Sequence, residues 1–281
     1  MKILFQTNNR KIAQLEHEHR KLVESGYEIV PFGYLYDGNK ITFTGLDDIT
    51  SEDNILLRSS IRVLRELAVN CIEYSPNNLT SLKQTLDYYL DKFEVTNFPE
   101  SEHFLNKQPG EYEIQMVCEV LDKKYRKDVF IKPINDLKLF SGTLIPKGQT
   151  LRSILEEKNE LERVRKEPFE QVLVSHCCPL LREEVRCYVV DSKVVTISRY
   201  RYEGKYNTDP LSPDVSKFYQ DFAQNIIDTV YKPGNNFTID LCTTSTFDVK
   251  VVEYNCLTSS GLYECDSKAL FSALEEYYYN K

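Results

Sequence analysis

The stretch DVFIKPINDLKLFSG, Asp128 to Gly142, ends a short apolar run on Lys132 and places Lys138 just ahead of Phe140, Ser141 and Gly142. Two ammonium groups beside a glycine turn can hold a polyanion such as a phosphate chain; the competing reading is that both long stems carry their charges out to solvent. A second set lies near the C-terminus, where FTIDLC and VKVVEYN, joined by the polar connector TTSTFD, carry Asp240, Glu253 and Asn255. A hairpin symmetric about Thr246 and Phe247 sets Asp240 across from Glu253 and Thr238 across from Asn255. The two-residue period of a strand then keeps Asp240, Glu253 and Asn255 on one face. Facing carboxylates repel unless a cation sits between them. Hard oxygen donors suit magnesium, which takes one or two carboxylates, keeps waters and completes its shell with phosphates. The alternative is the ordinary polar side of a hairpin turned to water.

Positive charge comes from REEVRCYVVDSKVVTISRYRYEG, which alternates on either side of Asp191-Ser192, a hairpin signal. A two-residue turn there places Glu184 opposite Arg199 and Arg186 opposite Ile197, so Glu184, Arg186, Arg199 and Arg201 share a face. Arginines in a row offer planar, multi-donor clamps for phosphate or carboxylate; a plain Glu184–Arg199 ion pair is the alternative. Lysines at a glycine turn, an arginine-bearing strand face and an Asp, Glu and Asn cluster are together the parts that a magnesium nucleoside triphosphate needs. There is no G-x-x-x-x-G-K-[ST], no G-x-G-x-x-G and no H-R-D, so neither a P-loop nor a protein-kinase architecture supplies them. Nucleophilic side chains are not indicated. The eight cysteines form no C-x-x-C pair and read as reduced thiols. His17 and His19 are two apart in a helical stretch and do not face each other.

These residues need elements to aim them. KILF reads as a strand, KIAQLEHEHRKLVESG as an amphipathic helix closed by Gly26, and YEIVPFG as a second strand, the β-α-β opening of a parallel sheet. SSIRVLREL and NLTSLKQTLDYYLDKF add helical periodicity, the second capped by Asn78 with an apolar stripe through Leu82, Leu86, Tyr89 and Phe93. YEIQMVCEVLDKKY is expected as a helix leading into DVFIKP. SILEEKNELERVRKEP is expected as one charged helix, its charge run a solvated face, ended by Pro168 before the strand EQVLVS. SKALFSALEEYYY is a final helix with Asp266 as its N-cap. The chain thus divides into an N-terminal α/β unit over 1–96, a compact lobe over 97–175 with both lysines and the glycine turn, and a lobe over 176–281 with the two hairpins.

The order VFIKP with LKLFSG, EQVLVS, EEVRCYVVDSKVVTISRYR, FTIDLC and VVEYNCLTSSGLYECD resembles the R-two-K clade of the ATP-grasp superfamily. The resemblance implies an α+β ATP-grasp fold, two α+β lobes gripping ATP, preceded by a small α/β N-terminal domain. It implies that Lys132 and Lys138 meet the phosphates beneath the loop of Ser141 and Gly142, and that the strand of Val174 presents backbone groups to the adenine edge. Arg186 would reach the transferred phosphoryl group or an acyl phosphate, with Glu184 and Arg199 on the same strand face. Asp240, Glu253 and Asn255 would carry Mg2+, and the backbone amides of Thr258 to Gly261 could cradle an anion. The implied chemistry is activation of a carboxylate as an acyl phosphate, which an amine attacks, with release of ADP and phosphate. A phosphotransferase or nucleotidyl ligase on the same fold stays open, as does a nucleotide-binding module without turnover; KPINDLK is not the K-x-D-G of covalent-lysine ligases. Arg58, Arg62 and Arg65 in LLRSSIRVLREL have helical spacing that fits a solvated or interdomain face as readily as a carboxylate clamp.

The 281 residues suffice for one large or two modest domains, and 41% hydrophobic with 28% charged residues is ordinary globular composition. No apolar run approaches the roughly 18 residues of a membrane span. MKILFQTNN is strand-like rather than a signal peptide, so the cytoplasm is the expected compartment. A net charge of -8 argues against a chain-wide footprint for nucleic acid. The partners expected are therefore ATP, a carboxylate-bearing substrate and an amine acceptor, with no membrane; the oligomeric state is not readable from these residues.

Overall fold

The computed structural model describes residues 1–8, 12–36, 41–50, 53–60, 63, 99–134, 139–176 and 181–280. In chain order its elements are β1 (Lys2–Gln6), α1 (Ile12–Glu24), β2 (Glu28–Tyr36), β3 (Ile41–Thr44), β4 (Ile55–Arg58), β5 (Tyr112–Met116), α2 (Val117–Val120), β6 (Val129–Pro133), β7 (Thr143–Ile145), α3 (Leu151–Glu157), α4 (Leu161–Lys166) and β8 (Gln171–Ser175). There follow β9 (Leu181–Val190), β10 (Lys193–Tyr202), β11 (Lys205–Tyr206), α5 (Pro213–Thr229), β12 (Phe237–Thr244), β13 (Val249–Asn255), a 3-10 turn at Leu257–Ser259 and α6 (Ser267–Tyr279). The strands form sheets in the orders β3-β2-β1-β4, β5-β8-β6-β7 and β11-β10-β9-β12-β13. Two compact units result: Met1–Phe93 with Val185–Ile239 and Asn255–Lys281, and Glu94–Glu184 with Asp240–Tyr254.

In the first unit β1 pairs in parallel with both β2 and β4, as the β-α-β opening requires. Gly26 at φ +81 ends α1, its N–H returning to the Val23 carbonyl as a left-handed cap does. Ile3, Phe5, Leu22 and Leu56 pack with Tyr188, Leu262, Leu270, Phe271 and Leu274 in one apolar cluster. The helix over SKALFSALEEYYY is α6, and Asp266 caps it by accepting from the Ala269 N–H at 2.9 Å. Asp191 and Ser192, at φ +53 and +62, form a two-residue turn between β9 and β10, with the positive φ at both central positions that a type I′ hairpin needs. LLRSSI departs from its helical reading. Its LLR belongs to β4 (Ile55–Arg58), in parallel register with β1, so Arg58 closes a fully buried strand opposite Phe5. The stretch NLTSLKQTLDYYLDKF with Asn78, and Arg62 and Arg65, fall outside the described residues.

In the second unit β8 lies between β5 and β6, antiparallel to both. Val129, Ile131, Val172 and Val174 from its central strands pack with Val117, Leu151, Leu155, Leu161 and Val164. YEIQMVCEVLDKKY is a strand before it is a helix. Tyr112 to Met116 pair along β8 as a sheet edge, and only the single turn Val117–Val120 coils, burying Val117 and Val120. Hydrogen bonds to a neighbouring strand outweigh a local helical preference. SILEEKNELERVRKEP breaks into α3 and α4 because Asn159 adopts φ +57, a left-handed turn that asparagine tolerates better than most residues. Among the described residues no helix is long and apolar enough to cross a membrane.

Candidate functional site

Alternation along β6 decides where its lysine points. Val129 and Ile131 enter the apolar cluster, so Phe130 and Lys132 take the other face. There the Lys132 ammonium donates to Glu253 Oε2 at 2.9 Å, with 9% of the lysine side chain and 30% of the glutamate side chain exposed. Gly142 lies against the same face. A Cβ on it would come 2.6 Å from Phe130 Cζ and 3.4 Å from Lys132 Cβ, so the absence of a side chain is what lets this backbone approach the lysine. Ser141 is exposed and its carbonyl accepts from Thr143 Oγ1 at 2.6 Å. Lys138 falls outside the described residues.

Val174 lies within the sheet of the second unit. It is fully buried and paired on both sides, with Glu113 of β5 and Ile131 of β6. A residue inside a sheet has its N–H and C=O committed to the ladder. Past Ser175, the His176 N–H donates to the Glu111 carbonyl at 2.7 Å.

Asp240 on β12 is 1% exposed, and Glu184 on β9 is 5% exposed. The hairpin that carries Asp240 and Glu253 turns one step earlier than a symmetric Thr246-Phe247 loop. The Phe247 N–H donates to the Thr244 carbonyl at 3.0 Å, the Thr244 N–H donates to the Asp248 carbonyl at 2.9 Å, and Phe247 sits at φ +65. This is a three-residue loop whose last member is left-handed, a connection that inserts a bulge residue. Nearby, burial first and then the Glu184 charge push the Cys242 thiol up to about 12.

Asp240, almost wholly buried, and Glu253, which holds the Lys132 ammonium, are carboxylates of the kind that suits a hard divalent cation. Among the described residues no three His, Cys, Asp or Glu side chains gather into a cage, so a magnesium ion held here would complete its shell with water and ligand oxygens.

The first unit holds the other candidates. Arg186, 7% exposed, lies 5.6 Å from the ring centroid of Tyr200 and 5.3 Å from that of Tyr263; the two rings are stacked 5.2 Å apart. Arg199 lies over Tyr202 at 5.4 Å and donates to the Asp209 carbonyl at 3.4 Å. The carbonyl of Asn255 accepts from Thr238 Oγ1 at 3.4 Å.

Beyond Asn255, the segment Leu257–Gly261 is held by a residue whose role helical spacing concealed. Arg58, 2% exposed, donates to the carbonyls of Leu257 (2.6 Å) and Ser260 and pairs with Glu18. The Tyr188 hydroxyl donates to the Gly261 and Leu262 carbonyls, His17 Nε2 lies 3.0 Å from the Tyr263 carbonyl oxygen, and Ser198 Oγ accepts from the Glu264 N–H. Tyr263 itself sits at φ +48, a conformation that persists in a bulky residue only where surroundings over-determine it. The sequence signal for Arg58 was its position directly after the apolar run ILL.

A family model of the ATP-grasp domain, R2K clade family 2, matches residues 113–273, more than half of the chain. The chain belongs to this ATP-grasp family. Its α+β fold is therefore the ATP-grasp fold that the order of its stretches implied. Among solved structures similar to this ATP-grasp chain are a RimK domain ATP-grasp protein from Sphaerobacter thermophilus, at 15% identity, covering 97% of this chain and 99% of that one with a TM-score of 0.48. A D-alanine–D-alanine ligase from Bacillus anthracis complexed with ATP follows at 13% identity, 98% and 96% coverage and a TM-score of 0.49. D-cycloserine synthetase DcsG is similar at 12% identity, 98% and 99% coverage and a TM-score of 0.49. No curated protein sequence matches the chain.

Proposed function

We propose that this ATP-grasp protein is a ligase that activates a carboxylate as an acyl phosphate at the expense of ATP, for attack by an amine, releasing ADP and phosphate. The observation that carries the reading is the Lys132–Glu253 pair, in a unit that also buries Asp240. Lys132 is the residue for the phosphate chain, and the bare backbone of Gly142 closes over it. Lys138 is assigned to the same anion. Arg186, oriented by Tyr200 and Tyr263, is the group for the transferred phosphoryl or the acyl phosphate, with Arg199 and Glu184 as further members of the proposed site. Asp240, Glu253 and Asn255 are the residues for Mg2+, which when bound neutralises charge that develops on the phosphates. Backbone groups near Val174, on the strand Gln171–Ser175, are assigned to the adenine edge. The functional division follows 1–96, 97–175 and 176–281, and the compartment is a reducing cytoplasm.

The test pairs nucleotide analysis with product analysis. Incubation with ATP, Mg2+ and panels of carboxylates and amines should give ADP together with a new amide. AMP, or a phosphorylated acceptor without amide, overturns the ligase chemistry. Absence of any Mg-ATP-dependent thermal shift in the wild-type protein overturns the nucleotide site itself.

A further inference from the structure

Tyr263 is a bulky residue at φ +48, and two planar peptide units flank it. The unit before it, Leu262–Tyr263, is held through the Leu262 carbonyl, which accepts from the Tyr188 hydroxyl at 2.6 Å. The unit after it, Tyr263–Glu264, is held at both ends: the Glu264 N–H donates to Ser198 Oγ at 3.0 Å, and the Tyr263 carbonyl oxygen lies 3.0 Å from His17 Nε2. Fixing both planes fixes φ and ψ of Tyr263, and with them the direction of its Cα–Cβ bond. The ring then lies on Gly261, where a Cβ would come 3.3 Å from Tyr263 Cζ. It also stacks on Tyr200 at 5.2 Å, with the Arg186 guanidinium 5.3 Å from its centroid. All of these residues belong to the first compact unit.

We infer that His17 is a positioning residue: its hold on the Tyr263 carbonyl keeps the tyrosine ring against Arg186, and so aims the guanidinium assigned above to the transferred phosphoryl group. The inference rests on that reading of Arg186. Which ring nitrogen does this follows from the partners of His17. Nδ1 lies 3.2 Å from Arg20 Nη2, and a guanidinium only donates, so Nδ1 accepts and Nε2 carries the hydrogen turned to Tyr263. Arg20 is itself anchored, donating to Glu24 Oε1 at 2.8 Å and to Glu264 Oε1 at 2.6 Å, so the imidazole is gripped at both nitrogens. Without His17 the Tyr263–Glu264 plane loses one of its holds, and the left-handed conformation loses a constraint that sustains it. A ring that swings away takes with it part of the cation–π attraction that orients the guanidinium.

Nuclear magnetic resonance of the arginine-labelled full chain tests the geometry, and turnover tests its purpose. The Arg186 Nε–H cross-peak, assigned by its loss in Arg186→Lys, should be displaced by the tyrosine rings in the wild-type protein. In His17→Leu it should move toward the position of an exposed arginine. His17→Gln, whose side-chain amide offers a donor in place of Nε2, should keep the wild-type position. A residue that only stabilised the fold would lower the melting temperature and leave this resonance where it was. In the amide-forming assay above, His17→Leu should lower kcat on the order of ten- to a hundredfold with KM for ATP unchanged, as a misdirected transition-state contact does, and His17→Gln should recover most of the loss. An Arg186 resonance that stays in place in His17→Leu overturns the inference, and so does a loss of turnover that falls on KM for ATP alone. If Arg186→Lys turns over as the wild-type protein does, the reading of Arg186 falls and the inference with it. An unmoved resonance in a protein whose Arg186→Lys variant has lost turnover sinks the inference alone.

Discussion

The Arg58 guanidinium donates to the Leu257 carbonyl at 2.6 Å, tying the end of the fourth strand to the segment that follows the EYN stretch. The same guanidinium reaches Ser260 and pairs with Glu18 of α1, so one side chain satisfies two main-chain acceptors and one carboxylate in a buried setting. Arg58→Ala is expected to destabilise the fold by about 3–5 kcal/mol, because the buried Glu18 loses the guanidinium and two carbonyls lose their donor. Arg58→Lys should recover only part of this, since an ammonium group lacks the planar fork. Urea midpoints for the two variants check the ranking.

Gly142 stands where a methyl group would meet Phe130. Gly142→Ala is expected to cost about 1–3 kcal/mol of stability by overpacking and to weaken any phosphate contact made by Lys132, whose Cβ lies 3.4 Å from the same point. The ring is the adjustable neighbour. Adding Phe130→Ala to Gly142→Ala should recover the thermal stability lost to the clash, less the burial that the ring itself contributed; a double-mutant cycle with no coupling contradicts the contact.

Acid should act through Glu264. Burial alone would raise its carboxyl, but the Arg20 hydrogen bond and the charges of Arg20, Lys21 and His17 hold it below the ordinary carboxylate value. A carboxyl depressed in the folded state contributes stability above its unfolded value, near 4.3 for an unperturbed glutamate, and loses it as pH falls through the folded value. Wild-type stability should therefore drop more steeply than that of Glu264→Gln on acidification below about pH 5, read from denaturant midpoints across the range.

Thiol chemistry should separate the described cysteines. Cys242 and Cys265 have thiols pushed up to about 12, chiefly by burial, and Cys187 and Cys256 are buried too, whereas Cys118 is exposed. Iodoacetamide at neutral pH followed by peptide mass spectrometry should label Cys118 in the native protein and the other four only after denaturation.

Where short-range pattern dominates, residue order carried the reading far. β1, α1 and β2 follow from period and from Gly26, α6 from Asp266 and its apolar stripe, and the Asp191-Ser192 turn from two polar residues between alternating runs. YEIQM misled because its apolar spacing suits a helix as well as a sheet edge, and only pairing along Gln171–Ser175 chooses between them. Asn159 misled for the opposite reason: one residue at positive φ splits a continuous charged pattern, and no neighbour in the sequence announces it.

The sequence by itself determined the family and the types of group at the site, since lysines at a glycine turn and an Asp, Glu and Asn set are matters of residue identity and order. What meets what was decided by tertiary structure. Lys132 and Glu253, on β6 and β13, meet because strand alternation turns the lysine to the face where the glutamate lies, and Arg58 meets Leu257 and Ser260 because a parallel strand ends beneath that turn. Such contacts join residues far apart in the chain, so they depend on how sheets pack and register, and no local period or composition encodes them.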